Sequence, residues 1–221
     1  MMIKAKQLPL LAVALGCLLG GCENQTPPAP AITPTQPSFT GTIVAVGDSL
    51  TAGYGLAEAD AYPARLEKKL QAAGYRWRVV NAGISGETSS GTLSRVDWVL
   101  KLKPDIVILE TGANDGLRGI DPQVTKKNIV ETVRILKENR VTVILAGMRM
   151  VTSMGRDYTE KFAAIYPAVA KKHALKLIPF FLQGVAGNPA LNQEDGIHPV
   201  AEGYRIITEM VYPYVLEAGV K

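Results

Sequence analysis

Two histidines, His173 and His198, are all that the 221-residue chain offers, so a mechanism that needs an imidazole must use one of them. His173 sits in Lys171-Lys172-His173 and reads as the solvated end of a helix. His198 follows Asp195 by three residues on one loop. That spacing lets the carboxylate reach ring Nδ1 and leaves Nε2 free to take a proton. Glu194 is a rival orienter with poorer spacing. A serine hydroxyl is a weak nucleophile until such a base takes its proton. Of seven serines, Ser49 in Gly47-Asp48-Ser49-Leu50 stands where an apolar run turns into a helix. Its hydroxyl and N–H can face a crevice there, and the helix dipole favours developing negative charge. Acyl transfer also needs donors for an oxyanion. The Ser49 N–H is one. The N–H of Gly83, in Asn81-Ala82-Gly83-Ile84-Ser85-Gly86, is a second, since a glycine lets backbone approach the substrate. The amide of Asn114, in Thr111-Gly112-Ala113-Asn114-Asp115, is a third.

These stretches matter only if the fold gathers them. Short β-branched runs recur at 42–46, 77–80, 106–109, 141–145 and 175–179, nearly continuous in apolar residues. Parallel strands buried on both faces read this way. Helical patterns lie between them. Asp121-Pro122 is a helix start, followed by a stripe at Ile129, Val133 and Leu136. Pro199 is expected to open the last helix, with Tyr204, Ile207 and Val211 on one side. Strands alternating with helices predict an α/β fold: a three-layer, flavodoxin-like, doubly wound sheet of five parallel strands. Ligands bind at the carboxyl ends of such strands, and each glycine- and asparagine-rich stretch follows a strand. One alone would be turn chemistry; four with a serine, an asparagine and a histidine make a site.

Gly-Asp-Ser-Leu, then a glycine, then Gly-x-Asn-Asp, then Asp-x-x-His is similar to the four-block pattern of the SGNH (GDSL) hydrolases, in family order over the whole domain. Asn114-Asp115-Gly116-Leu117-Arg118-Gly119, Ala164-Ile165-Tyr166-Pro167 and Asp195-Gly196-Ile197-His198-Pro199 resemble the bacterial thioesterase, lysophospholipase and arylesterase branch. The resemblance implies Ser49 as nucleophile, His198 as base oriented by Asp195, and Gly83 and Asn114 as oxyanion donors beside Ser49. It implies an acyl-contacting loop at Thr88, Ser89, Ser90, Gly91, Thr92 and Leu93, smaller here than the branch usually shows, with Gly116 and Leu117 also touching substrate. The implied activity is hydrolysis of carboxylic esters or thioesters through an acyl-enzyme, with no cofactor. An O-acetylesterase of polysaccharides on the same machinery stays open as an alternative, and a non-catalytic surface lipoprotein is a remote one.

The amino terminus sets the expected compartment. A basic start and an apolar or small run from Leu8 to Gly21, too short to span a bilayer, form a secretory signal. Leu19-Gly20-Gly21-Cys22 resembles the lipobox of bacterial lipoproteins. The expected organisation is a signal peptide at 1–21, a lipidated Cys22 with a Pro-rich tether to residue 40, and a domain at 41–221. Cleavage before Cys22 removes Cys17, so the domain has no disulfide. Glu23 after Cys22 points to the outer of two membranes. Net charge falls from +4 to +2 once Lys4 and Lys6 leave, which gives no basic face for nucleic acid. At 47% hydrophobic residues the chain is globular, and a monomer is expected. No His-Glu-x-x-His or cysteine cluster offers a metal site, and no Gly-x-x-x-x-Gly-Lys loop offers a nucleotide site. A flavodoxin-like phosphate loop fails at Ala52.

Overall fold

The computed structural model describes residues 38–221. Cys22 and most of the Pro-rich stretch lie outside the described residues. Strands β1 (Gly41–Gly47), β2 (Trp77–Gly83), β3 (Ile106–Glu110), β4 (Thr142–Ala146) and β5 (Lys176–Ile178) form one sheet in the order β2-β1-β3-β4-β5. Every neighbouring pair is parallel. Nine α-helices are described: α1 (Ser49–Ala52), α2 (Tyr62–Ala72), α3 (Ser89–Ser94), α4 (Val96–Lys101), α5 (Ala113–Leu117), α6 (Pro122–Glu138), α7 (Arg156–Ala163), α8 (Ile165–His173) and α9 (Ala201–Glu217). This is the flavodoxin-like order, as the alternation of strands and helices implied.

The local causes are visible. Ile43, Val44 and Ala45 in β1 and Val107, Ile108 and Leu109 in β3 are wholly buried, which is why these runs show no polar alternation. Asp121 caps α6, its carboxylate accepting from the Gln123 N–H at 2.9 Å with Pro122 in the first turn. Ile129, Val133 and Leu136 pack inward from it. Helix α9 begins at Ala201, two residues after the expected Pro199. Pro199 is instead held in an antiparallel bridge with Asn192, and this bridge shapes the loop that carries His198. Tyr204, Ile207 and Val211 are buried along α9 as the pattern required. Thr40 donates through its N–H and its hydroxyl to the Arg76 carbonyl, at 2.6 and 2.9 Å, which ties the chain entering β1 to the start of β2.

The order β2-β1-β3 sets the crevice. Chains leave β1 and β3 toward opposite faces of the sheet, and a gap opens between their carboxyl ends. The end of β2 closes against the first of these: a Cβ on Gly83 would stand 2.7 Å from the Ala52 Cα and 2.8 Å from the Asp48 carbonyl, both backbone atoms that cannot yield. Gly83→Ala therefore overpacks the joint between β2 and α1. Overpacking costs about 3 kcal/mol at the upper end of its usual range. For a domain of this size that lowers the melting temperature by about 6–12 °C. Thermal denaturation followed by circular dichroism measures it, and an unchanged melting temperature would contradict the packing assigned to Gly83.

Candidate active site

Ser49 opens α1 directly after β1. The preceding Asp48 caps this short helix, its Oδ1 accepting from the Leu50 N–H at 2.9 Å. The Ser49 N–H, in the first turn, has no intrahelical acceptor and is available to the crevice. Across the gap the loop after β5 brings His198, whose Nε2 lies 2.9 Å from Ser49 Oγ. The other ring nitrogen, Nδ1, lies 2.6 Å from Asp195 Oδ2. Asp195 also accepts the N–H groups of Ile197 and His198 through Oδ1, at 2.8 and 3.0 Å. These bonds, the His198 N–H first among them, pull its carboxyl from an ordinary 3.8 down to about 2. The carboxylate thus stays ionised in all but strong acid. It fixes Nδ1 as the protonated nitrogen and Nε2 as the acceptor facing the serine.

On the other side of Ser49, the Asn114 side chain comes from α5 after β3. Its Nδ2 donates one hydrogen to Asp48 Oδ2 at 3.0 Å. An amide nitrogen carries two hydrogens, so one remains for a ligand. Asp48, Ser49, Asn114, His198, Ser85, Gly86, Tyr54, Leu117 and Ile197 are among the residues lining this cleft, of about 200 Å³. A second, largely apolar groove shares Leu50, Ala113, Leu117 and Ile197 with it and runs on to Met148, Met150, Phe180 and Leu182. A polar catalytic end thus opens into a greasy channel.

Three expectations need correction. Gly83 does not face the cleft. Its N–H donates to Asn81 Oδ1 at 3.0 Å, and its missing side chain serves the close approach of β2 to α1. Gly86 lines the cleft instead, at φ +79°, a left-handed conformation suited to glycine. Thr88 to Leu93 do not line either the cleft or the groove. Ser90 is exposed, Thr88, Gly91 and Leu93 are half-buried, and five of the six residues lie in α3, capped by Thr88. The reason lies in Ser89 and Thr92, which turn inward. The Ser89 N–H and hydroxyl donate to Asp115, and the Thr92 hydroxyl donates to Glu87 and shares a hydrogen bond with Thr111. Gly116 is also buried, packed under the Met150 thioether, so only Leu117 of that pair reaches the cleft.

Several supporting residues carried no sequence signal of their own. Gln193 bridges the loops that bear serine and histidine. Its N–H donates to the His198 carbonyl at 2.7 Å, and its side-chain amide donates to the carbonyls of Tyr54 at 2.7 Å and Pro199 at 3.1 Å. Tyr54 lies over the His198 ring, centroids 4.6 Å apart. Arg95 straps the ends of β1 and β2 to the Gly86 loop. Its guanidinium donates to Glu87 and to the Ala82 carbonyl at 2.7 Å, in a half-buried ion pair. His173 ends α8 far in sequence from all of this, its carbonyl accepting from Lys137.

The pattern of the GDSL-like Lipase/Acylhydrolase family matches residues 45–206. Esterase TesA of Pseudomonas aeruginosa is 39% identical over 180 residues, 81% of this chain and 90% of that protein. Thioesterase 1/protease 1/lysophospholipase L1 of Escherichia coli is 40% identical over 169 residues, 76% of this chain and 80% of that protein. A crystal structure of TesA superposes with a TM-score of 0.77 at 39% identity, covering 80% of this chain and 99% of that one.

The geometry orders the effects of substitution. Ser49→Ala and His198→Ala should each lower kcat by about 10⁶-fold, and Asp195→Ala by about 10⁴-fold, since the carboxylate only orients and stabilises the ring. Asn114→Ala should cost about 100- to 1000-fold in kcat with KM within a few-fold, as expected for a donor that engages the oxygen once it is charged. His173→Ala should change nothing. Steady-state kinetics on samples of matched melting temperature checks the series. A normal kcat in Asn114→Ala would remove its amide from the chemistry.

Proposed function

Because this chain belongs to the GDSL-like lipase/acylhydrolase family, we propose that it is a serine esterase in which Ser49 attacks the acyl carbonyl, His198 takes the proton and Asp195 holds the ring. The observation that carries this reading is the unbroken line from Asp195 through His198 to Ser49, with contacts of 2.6 and 2.9 Å, at the mouth of an apolar groove. As Ser49 Oγ bonds to the carbonyl carbon, its proton passes to His198 Nε2. The carbonyl oxygen becomes an oxyanion, met by the N–H groups of Ser49 and Gly86 and by the free hydrogen of the Asn114 amide. His198 then gives its proton to the leaving alcohol or thiol. Water, deprotonated by the same ring, releases the acid and restores Ser49.

The substrate follows from the shape of the channel. Leu117, Met148, Met150, Phe180, Leu182 and Ile197 suit an acyl chain lying away from Ser49; of the polar lining, the Arg149 guanidinium lies over the Phe180 ring and the Asn192 amide donates to the Val185 and Asn188 carbonyls. Esters and thioesters with an acyl chain are therefore the substrate class, consistent with relatives named as an esterase and as a thioesterase and lysophospholipase. A panel of nitrophenyl esters of rising chain length, an acyl-CoA, a lysophospholipid and acetylated xylan tests it. Rates should rise with chain length beyond acetyl. Preference for the acetylated polysaccharide would contradict it. Ala186 lines the groove. Ala186→Trp should displace at least two methylenes of a long chain, worth about 1.6 kcal/mol or roughly tenfold in kcat/KM, while leaving acetyl esters unaffected. Equal loss on both would argue against an acyl channel there.

The compartment is part of the same proposal. The apolar leader and the Leu-Gly-Gly-Cys box at Cys22 support export and acylation, with a Pro-rich tether holding the domain off the membrane. Cys22→Ser should move the protein out of the membrane fraction with ester hydrolysis intact. Continued membrane fractionation, with an unchanged N-terminal mass, would overturn the anchor.

A further inference from the structure

One buried acid takes no part in the proton transfers described above. Glu110 ends β3 and is 0% exposed. Its Oε2 accepts the Thr51 hydroxyl at 3.0 Å and the Asp48 N–H at 3.2 Å, while Oε1 has no hydrogen-bond donor facing it. The Asp48 carboxyl beside it is 1% exposed. Among the ion pairs of the described residues, none involves either acid. Two carboxylates side by side in a dry interior, with no cation, cannot both stay charged.

The surroundings say which one keeps the charge. Both oxygens of Asp48 meet N–H donors, Leu50 N–H at 2.9 Å and Asn114 Nδ2 at 3.0 Å. Glu110 has fewer donors: Oε2 takes one N–H and one hydroxyl, and Oε1 takes none. The groups around it are phenols and hydroxyls: Tyr62 from α2, Thr51 from α1, Tyr166 from α8 and Tyr204 from α9. Burial pushes Glu110 well above the usual carboxylate range, and the neighbouring Asp48 charge pushes it further. Burial raises the Asp48 carboxyl as well, and the Leu50 N–H and the Asn114 amide act against that rise.

We propose that Glu110 is a positioning residue, a neutral carboxylic acid that holds Asp48 by its backbone N–H, and through Asp48 aims the Asn114 amide and seats Ser49. The inference rests on the assignment of Asn114 as an oxyanion donor. Glu110 holds residue 48 at its backbone N–H, 3.2 Å from Oε2, and the first turn of α1 at the Thr51 hydroxyl, 3.0 Å from the same oxygen. The Asp48 carboxylate in turn holds the Leu50 N–H of that turn and the Asn114 amide. A charged Glu110 would repel what it must hold, and an apolar side chain would leave the back of Asp48 bare.

Two substitutions separate positioning from filling of space. Glu110→Gln keeps the shape, the neutrality and an oxygen that accepts the Asp48 N–H, so kcat should stay within about threefold of wild type. Glu110→Met keeps the volume but offers no oxygen to the Asp48 N–H or the Thr51 hydroxyl. Its kcat should fall about 10- to 100-fold, the usual cost of losing a supporting partner, with KM nearly unchanged and one fluorophosphonate label per chain. A Met variant with wild-type kcat per labelled site, or a Gln variant as damaged as the Met variant, would overturn the proposal. If the Met variant does not fold, the Gln variant decides alone. A folded-state pKa raised above the unfolded 4.5 means that the stability tied to the Glu110 proton is present below that value and is lost as pH rises. The melting temperature of Glu110→Gln should therefore gain on wild type from pH 5 to pH 9, with kcat kept. A constant difference, or lost kcat, would overturn the proposal. Failure of wild type itself to take the label would instead fault the assignment of Ser49.

Discussion

A carboxylate taken out of water must find hydrogen-bond donors, and Asp48 finds them on both sides of the crevice. One oxygen accepts from the first turn of α1 and the other from the Asn114 amide after β3. The need to satisfy this single buried group therefore couples the helix that Ser49 opens to the Asn114 side of the cleft. Leaving such a group unpaired costs about 1–3 kcal/mol or more. The pairing thus constrains the site firmly even though each bond adds little net stability. The residue beside Ser49 in the Gly-Asp-Ser-Leu block acts here through this geometry, as a hinge pin between two strand ends.

The sheet supplies the rigid frame for that pin. Parallel register places Gly47 opposite Gly83, and Val46 opposite Leu109 on the other side, so the three strand ends finish together. Buried aliphatics on both faces of β1 and β3 leave no freedom to slip. The histidine arrives differently, on a loop with no strand to hold it. The Asn192–Pro199 bridge, the Gln193 bonds and the Asp195 Asx-type turn replace that support. Since Gln193 reaches the Tyr54 carbonyl across the cleft, the two halves of the triad are held by one side-chain amide.

Local signals carried the fold and the triad. Strand runs, the Asp121-Pro122 helix start and the Asp-x-x-His spacing depend on near neighbours, and the elements begin and end within three residues of expectation, the largest difference being β2, which runs on to Gly83. Gly83 and Gly86 could not be separated this way, because both lie beyond the expected strand 77–80, whereas β2 runs on through Gly83 and leaves Gly86 at the cleft. The segment Thr88–Leu93 looked like a polar loop. Its polarity is spent inward, on Asp115, Thr111 and Glu87, partners that come from elsewhere in the chain. Glu110 did leave a mark: a glutamate ends an otherwise apolar buried strand. Its meaning appears only when Asp48 stands beside it. Gln193 left none, since its three partners are backbone carbonyls.

The proposed mechanism requires a covalent bond to one serine. Mixing the enzyme with a nitrophenyl ester, quenching in acid within the first turnover and measuring intact and peptide masses would observe it directly. One acyl group per chain, on the peptide that contains Ser49, is the predicted result. A chain that releases nitrophenol yet stays unmodified throughout the first turnover, or carries the acyl group on any other residue, would contradict the mechanism.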